Sequence, residues 1–235
     1  MSTSIPPAAV NCDIATWIDA FTTSMKLIRR WTAEQQRTDS ILAALLEFHG
    51  RLLLLESGST SGTAAKEVLE AAAPGEALPL LHARHVRGLE NLLAALQTSA
   101  RKFEAIQMDM SEVYAEVRQR CGIVEGDSSS TLVREDCVDR AQQPTWGLVG
   151  AGRGLDAQRV GLPPPAVCVQ WVRELDQQFA AEMLLKLELL DAVDLGMSAD
   201  ALHGIHQLWT MQPHLRPETL ERTAALADSL KLGGS

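Results

Sequence analysis

The chain has 235 residues, of which 46% are hydrophobic and only 4% aromatic, and its formal net charge at pH 7 is −9. This acidic balance leaves no general basic surface for nucleic-acid phosphates, so direct, non-specific binding to DNA or RNA is disfavoured. Because Ala, Leu, Glu and Gln dominate, the composition favours helix over sheet.

The first predicted element is a long helix from about Asp13 to Ser57. Asn11 or Asp13 can cap its N-terminus, and the sequence SGSTSG ends it. Two apolar stripes at helical spacing are separated by the polar sequence TAEQQRTDS. This pattern predicts one continuous helix with a polar middle. A short helical piece is expected around TAAKEVLEAAA.

The second long helix is predicted from about Leu80 to Cys121 and carries the most regular apolar pattern in the chain. Its apolar positions alternate spacings of three and four over four heptads, and only one of them is polar. This spacing is typical of coiled-coil packing. The positions are Leu89, Leu92, Leu96, Ser99, Phe103, Ile106, Met110, Val113 and Val117.

Residues 122–165 are rich in Gly, Ser and Pro and predict a flexible loop. A helix is then expected from about Ala166 to Leu195, with Gly196 as its C-cap. Ser198 can cap a shorter helix that Pro213 ends, and Pro217 can begin a last one through about residue 230.

These elements predict an all-α fold: an elongated bundle of long antiparallel helices with coiled-coil packing and short C-terminal helices. The chain would divide into a disordered N-terminus (1–12), a long-helix coiled-coil region (13–121), the flexible loop (122–165) and a C-terminal helical partner-binding region (166–231).

The cysteines and the N-terminus indicate a chain that is neither secreted nor embedded in a membrane. No Cys-x-x-Cys pair occurs, so we expect reduced thiols and no disulfide or metal framework. The N-terminus has no signal-peptide pattern, and no apolar run reaches about 18 residues. We expect a soluble protein.

No pattern of catalytic residues points to an enzyme. The glycines of GAGRG lack the preceding strand and following helix of a phosphate-binding loop. The pairs His82/His85 and His203/His206 would each share a helical face but lack further zinc ligands. No nucleophile-elbow or kinase signature occurs. We therefore predict no catalytic residue, cofactor or metal.

The stretch EMLLKLELLDAVDL, residues 182–195, is apolar over most of its helical circumference. Such a helix must be covered on more than one side. Neighbouring helices of the same chain or an external partner helix could cover it, and the sequence leaves both open. The following HQLWTMQP adds residue types that suit a partner interface.

The same C-terminal part resembles the cyclin-dependent kinase 2-interacting protein family. That family carries a Leu-Leu-Leu-Lys-like helix followed by a Leu-x-x-Trp-x-x-Gln-Pro-like one. The sequence of residues 88–113 is similar to the family's central helix, and that of residues 16–36 to its first. The C-terminal match rests on Leu184, Leu185, Lys186, Leu208, Trp209, Gln212 and Pro213. A rival with a similar layout is the AAA-interacting ribosome maturation factor.

The resemblance implies a non-enzymatic adaptor subunit of an AAA+ ATPase complex. Its partners would be a helical protein like that maturation factor and spermatogenesis-associated-type AAA+ ATPases, with a cyclin-dependent kinase as a further candidate. Its roles would be large ribosomal subunit maturation and chromatin-linked DNA replication, in the nucleus and with a cytoplasmic pool as an alternative. We predict these partner-binding residues: Leu89, Leu96, Phe103, Ile106, Met110, Phe179, Met183, Leu184, Leu185, Leu189, Leu208, Trp209 and Pro213.

Two other functions remain open. One is a kinase-binding cell-cycle or checkpoint protein, because Arg51–Leu53, Arg87–Leu89 and Arg173–Leu175 match the Arg-x-Leu pattern of cyclin-docking peptides. All three lie in predicted helices, so such a peptide would have to unwind first. The other is a self-associating coiled-coil scaffold.

Overall fold

The computed structural model describes residues 13–56, 71, 77–122, 163–194 and 196–232. Five helices form within these ranges, and no strand does: α1 (Ile14–Glu56), α2 (Ala77–Arg120), α3 (Pro165–Asp191), α4 (Ala199–Met211) and α5 (Pro217–Leu232). The predicted all-α fold is confirmed. The short piece around TAAKEVLEAAA and the Gly-rich loop lie almost entirely outside the described residues.

The ends of the long helices follow the sequence signals closely, with one correction. Pro165 begins α3, as the proline run predicts, but the helix ends at Asp191 and not at Leu195. Residues 192–194 are not helical, and the Gly196 N–H donates to the Asp194 carboxylate at 3.2 Å. Gly196 therefore lies in the connection to α4 and is not a C-cap.

Helix α4 has a cap residue at each end, Ser198 and Gln212, and of these the sequence predicted Ser198. The Ser198 hydroxyl accepts a hydrogen bond from the Ala201 N–H at 3.2 Å, as predicted for an N-cap. At the other end Gln212 adopts a left-handed conformation with φ of 45°. The helix thus stops one residue before Pro213, because a left-handed residue cannot continue it.

The described residues fall into two compact units that do not follow chain order. The first unit lies within residues 1–25, 111–175 and 218–235, and the second within residues 26–110 and 176–217. Helices α1, α2 and α3 each contribute residues to both units, so the units cut across the regions that we predicted from the sequence.

Among the described residues of the first unit, the apolar core contains an aromatic pair, and an ion pair joins two of the helices. Trp17 and Phe21 are buried next to each other, with ring centroids 6.3 Å apart. On α5, the Arg222 guanidinium lies over the Trp171 ring and pairs with Glu174 at 2.6 Å. The Arg222 side chain therefore links α5 to α3.

Within the second unit, the contacts between α1 and α2 show that these helices are antiparallel. Arg30 of α1 pairs with Asp109 of α2 at 2.7 Å, whereas Phe48 stacks near His85 with centroids 5.7 Å apart. Eight of the nine predicted seam positions of α2 are buried across the two units, and Leu92 is partly buried. The predicted long antiparallel helices and the burial of the seam are confirmed.

Polar seam residues are buried without partners. Ser99, the polar seam position, is fully buried, and its hydroxyl finds no hydrogen-bond partner among the described residues. Ser24, where the apolar spacing of α1 is interrupted, has the same environment in the first unit. Both serine side chains are small enough for the neighbouring helices to pack over them.

Candidate functional site

A buried lysine lies at the centre of the second unit. The side chain of Lys186 on α3 is fully buried. Its neighbours in the sequence EMLLKLELL are mostly apolar. Its ammonium donates to the Gln35 amide oxygen at 2.8 Å and to the Trp209 carbonyl oxygen at 3.2 Å. The Glu182 carboxylate, one turn earlier, pairs with it at 3.4 Å.

Three aromatic rings surround the same ammonium. Lys186 Nζ lies 4.5 Å from the ring centroid of Trp209, 5.1 Å from that of Phe103 and 5.9 Å from that of Trp31. Trp31 also packs edge-on against Phe179 at 4.8 Å. Cation–π attraction strengthens when the cation is desolvated, so these rings partly replace the water that burial removed. We call Lys186 and these contacting groups the lysine cage.

Burial is the main influence on the pKa of this lysine. Desolvation lowers the pKa of Lys186 to about 8, because removal from water disfavours the charged form, while Glu182 and Asp39 act in the opposite direction. The ammonium nevertheless has two oxygen acceptors and a carboxylate nearby. Its charge is therefore compensated inside the bundle, which is the condition for burying a lysine.

The lysine cage is tied to α1 and α4 by further hydrogen bonds. The Trp209 indole N–H donates to the Thr38 hydroxyl at 3.1 Å, and that of Trp31 donates to the Gln212 side-chain oxygen at 2.8 Å. Gln35 Nε2 donates to the Trp209 carbonyl oxygen at 3.0 Å. Both ends of the Trp-x-x-Gln sequence are thus fixed to α1, so these residues hold α4 in place.

The segment after α4 is anchored to α3 in the same way. The His214 backbone N–H donates to the Glu182 carboxylate at 3.2 Å, and the Arg216 N–H donates to the Gln178 side chain at 3.0 Å. Glu182 therefore serves the buried ammonium and a backbone donor at the same time.

Sequence reasoning did not select the polar members of the cage. Gln35 and Thr38 lie in the polar middle of α1, and both are buried, as is Glu182. A signal was present, because a polar interruption between two apolar stripes on α1 complements a single lysine within an apolar helix on α3. Only the tertiary packing shows that these two interruptions face each other.

Most predicted partner-binding residues lie in the core of this chain. Leu185 is half-buried, whereas Leu184, Leu208 and Pro213 are exposed. The remaining nine are buried, with at most 8% of the side chain exposed, and pack in the core of this chain. They are Leu89, Leu96, Phe103, Ile106, Met110, Phe179, Met183, Leu189 and Trp209.

Exposed large apolar side chains are concentrated in the second unit. Among the described residues, all eight such side chains fall within its ranges. Half of them belong to α3 and α4, where they recur at a spacing of three, and the other half to α1 and α2. They are Leu184, Leu187, Leu208 and Met211, and Leu53, Leu54, Leu80 and Met108. Other helices of the chain therefore cover only part of the apolar circumference of α3.

An open groove of about 520 Å³ runs along the C-terminal end of α3. Leu187, Leu190 and Val193 supply its apolar wall, and Gln97 of α2 and Asp191 supply polar groups. Leu187 is 40% exposed, so an apolar side chain within the groove contacts water. The groove is shallow and offers a surface suited to a helix or an extended segment rather than an enclosed small-molecule site.

The three Arg-x-Leu sequences lie in regular helix, as expected. Two of their leucines, Leu89 and Leu175, are buried, whereas Leu53 is 39% exposed. Recognition of an extended peptide at Leu89 or Leu175 would require the leucine to leave the core, which costs about 2–5 kcal/mol for each buried leucine. At Leu53 it would require α1 to unwind. The geometry therefore does not favour any of them as a docking peptide.

The histidine pairs form ordinary helix contacts. His85 Nδ1 lies 2.8 Å from the Leu81 carbonyl oxygen, and His203 Nε2 lies 3.0 Å from the Gln207 amide. In the part of the chain that the structure describes, no group of three His, Cys, Asp or Glu side chains could hold a metal ion.

The cysteines correct one expectation. Cys121, at the end of α2, is disulfide-bonded, whereas the sequence spacing predicted only reduced thiols. Cys168 is a free thiol whose pKa is raised to about 12 by burial. A thiol with so high a pKa is a packing residue and not a nucleophile, since the reactive form is the thiolate.

Comparison with models of known protein families shows to which family the chain belongs. The model of the family described as ribosome biogenesis protein C1orf109-like matches residues 14–231. The chain belongs to this family. Membership supports a role in ribosome biogenesis, the coarser part of the predicted function. No curated protein matches the chain in sequence. No described helix is long and apolar enough to cross a membrane.

The cyclin-dependent kinase 2-interacting protein family, to which the sequence motifs pointed, is not the family that matches. The structure gives a physical reason why the motifs misled. Lys186, Trp209 and Gln212 are internal packing and capping residues of a long-helix bundle. Such residues report a helical layout that different families can share, and the family's binding properties do not follow from them.

Proposed function

We propose that this ribosome biogenesis family member is a non-enzymatic helical adaptor of an AAA+ ATPase complex that matures the large ribosomal subunit. In this proposal the exposed apolar side chains of α3 and α4 bind a second long-helix protein or the ATPase itself. The proposed location is the nucleus, where ribosomal subunits are assembled.

The concentration of exposed apolar side chains in one unit carries the proposal. Leu184 is 62% exposed and Met211 is 70% exposed, although both are bulky and apolar. Single exposed leucines are ordinary, but a concentration on packed neighbouring helices is typical of protein-binding surfaces. Methionine and leucine on a helix face adapt well to a partner helix.

The lysine cage supports the same proposal by making this face rigid. Because Trp209 and Gln212 are hydrogen-bonded to α1, α4 cannot rotate without breaking buried contacts. A preorganised surface loses less conformational entropy when a partner binds. In this proposal the lysine cage promotes binding because it fixes the position of α4, and the cage itself does not contact the partner.

A non-enzymatic role agrees with the nature of the two groups whose pKa values are displaced among the described residues. Lys186 is enclosed by aromatic rings and acceptors, and Cys168 is buried at the start of α3. Neither side chain faces the open groove of the second unit. No reaction is assigned to either residue.

Substitution of exposed apolar residues tests the adaptor proposal. Leu184→Glu together with Met211→Glu should reduce recovery of AAA+ ATPase and helical partner by tenfold or more, because two charges would enter an apolar interface, each costing about 1 kcal/mol or more. The measurement is affinity purification of the tagged chain with quantification of bound proteins.

Met108→Glu is the matched control for this experiment. The exposed fraction of Met108, 63%, is nearly the same as that of Leu184, 62%, but Met108 lies on α2. It should leave recovery unchanged, and circular dichroism should show full helicity for every variant. Equal recovery with the double variant and the parent chain would refute the adaptor proposal for this face. Recovery of no AAA+ ATPase by any form would refute the ATPase assignment.

Three further roles can be tested with the same purified material. A kinase-binding role predicts that Arg87→Ala, at an exposed position, weakens cyclin–kinase recovery, but no feature of the described residues favours it. A self-associating scaffold predicts a homodimer in multi-angle light scattering. A role in DNA replication would require replication proteins among those recovered, and it rests on the motif resemblance alone.

A further inference from the structure

The exposed charges of the chain segment that carries the groove at the end of α3 are of one sign. Between residues 176 and 202, every exposed charged side chain is acidic: Glu188, Asp191, Asp194 and Asp200. The single basic residue in this range, Lys186, is fully buried in the lysine cage. The segment that carries the groove therefore presents negative charge without local compensation.

The groove itself combines this charge with an apolar floor. Asp191 lines it beside Leu187, Leu190 and Val193. Glu188 follows Leu187 directly and is exposed. On the α2 side the lining residue is the neutral Gln97, and the nearest basic residue on that helix face is Arg101, one turn away. The groove thus has an apolar strip with carboxylates along one side.

We infer that this groove binds an amphipathic helix of a partner protein whose apolar face is flanked by Lys or Arg. The apolar strip would receive leucine-type side chains, and Glu188 and Asp191 would pair with the basic flank. In helix-in-groove recognition the bound helix carries apolar anchors at spacings of three and four, and Leu187, Leu190 and Val193 supply an apolar surface for such anchors. This inference rests on the proposed adaptor function and names the chemistry of its partner.

The charge pattern selects against two other occupants. A second copy of this chain carries a net charge of −9, so its approach to an acidic rim is opposed. Nucleic acid is opposed for the same reason, because its phosphates would meet carboxylates. A basic helix is the occupant whose charge complements the rim.

A designed peptide pair tests the inference on the full chain. The first probe is a fluorescein-labelled 18-residue helix of leucine and lysine, and the second carries glutamate at every lysine position. Fluorescence anisotropy at near-physiological salt should show binding of the lysine probe at least about tenfold tighter than that of the glutamate probe. Higher salt should weaken this binding.

Variants separate groove binding from general attraction to an acidic chain. Leu187→Arg should abolish binding of the lysine probe, and Glu188→Gln with Asp191→Asn should weaken it about fivefold or more. Glu104→Gln with Glu112→Gln removes the same two charges from exposed positions of α2. This control should leave the affinity unchanged; equal losses in the two double variants would overturn the inference.

The outcomes also separate this inference from the adaptor proposal. If Leu187→Arg leaves lysine-probe binding intact while Leu184→Glu with Met211→Glu abolishes partner recovery, the adaptor proposal stands and the groove assignment fails. If the probe binds as expected but partner recovery survives the Leu184 and Met211 changes, the adaptor face is wrong. A dimer of the parent chain that Leu187→Arg dissociates would make a second copy the occupant and overturn the inference.

Discussion

At the scale of single residues, Lys186 is the position whose environment most constrains the chain. Its ammonium is shared between Gln35, the Trp209 carbonyl and Glu182, on three different parts of the second unit. Replacing a buried ion pair as a whole can be neutral, but removing one partner leaves a buried charge alone. The pair therefore contributes more to specificity of packing than to net stability.

We predict that Lys186→Met lowers the free energy of unfolding by about 3–5 kcal/mol, because the buried Glu182 carboxylate loses its counter-charge. Urea denaturation monitored by circular dichroism measures this loss. The double variant Lys186→Met with Glu182→Gln should recover part of it, since no unpaired charge remains. A double variant that is less stable than Lys186→Met would contradict the prediction.

The lowered pKa of Lys186 also gives the stability a pH dependence with a defined sign. Its pKa is about 8 in the folded chain, compared with an ordinary value of 10.5 for a lysine in water. Between these values the unfolded chain binds the proton and the folded chain does not, so stability relative to the unfolded state rises with pH. We predict a gain of at most about 3 kcal/mol from pH 8 to pH 10.5.

Comparison with Lys186→Met isolates this contribution from other titrating groups. The difference in unfolding free energy between the parent chain and the variant should increase across that range and be constant below pH 7. A difference that stays constant or decreases between pH 8 and pH 10.5 would show that the ammonium stays charged in the folded chain.

At the scale of elements, the approach of α1 and α2 depends on a glycine. A Cβ at Gly88 would lie 2.6 Å from Phe48 Cε1, closer than real contacts allow, whereas a Cβ at Gly50 would meet nothing within 4 Å. Both glycines are inside long helices, where alanine is intrinsically favoured by about 1 kcal/mol. The two positions therefore separate helix propensity from helix packing.

We predict that Gly88→Ala destabilises the chain by about 1–3 kcal/mol, because the Phe48 ring must move in a packed contact. Gly50→Ala should stabilise it by up to about 1 kcal/mol. Thermal or urea denaturation of the two variants measures both changes. Equal stabilisation by the two alanines would mean that the helices do not approach closely at Gly88.

At the scale of the whole molecule, net charge separates an adaptor from a direct RNA binder. A chain with net charge −9 lacks the cationic surface that phosphate binding requires. We predict no measurable binding to fragments of ribosomal RNA in fluorescence anisotropy, with a dissociation constant weaker than about 10⁻⁴ M at physiological salt. Tighter binding that weakens steeply with salt would place the chain in direct contact with RNA.

The long helices could be predicted from sequence because their signals are local. Apolar spacing along Leu96, Phe103 and Met110 identifies α2 without knowledge of its neighbours, and Ser198 marks the start of α4 through a contact within three residues. The end of α3 was less predictable, since Ala192 and Val193 continue the apolar sequence after the helix stops at Asp191. Apolar content reports burial, and it does not fix where a helix ends.

The sequence by itself determined the all-α fold, the acidic surface and the surplus of apolar residues around residues 182–195. Tertiary structure alone decided how that surplus is divided: Met183 and Leu189 pack inward, Leu184 and Leu187 remain exposed, and Lys186 is enclosed. The reason is that a helical period places residues on faces, but which faces are covered depends on other helices, among them α1, whose Gln35 contacts Lys186 across 151 residues of the chain. The partner-binding surface therefore had to be located from the structure.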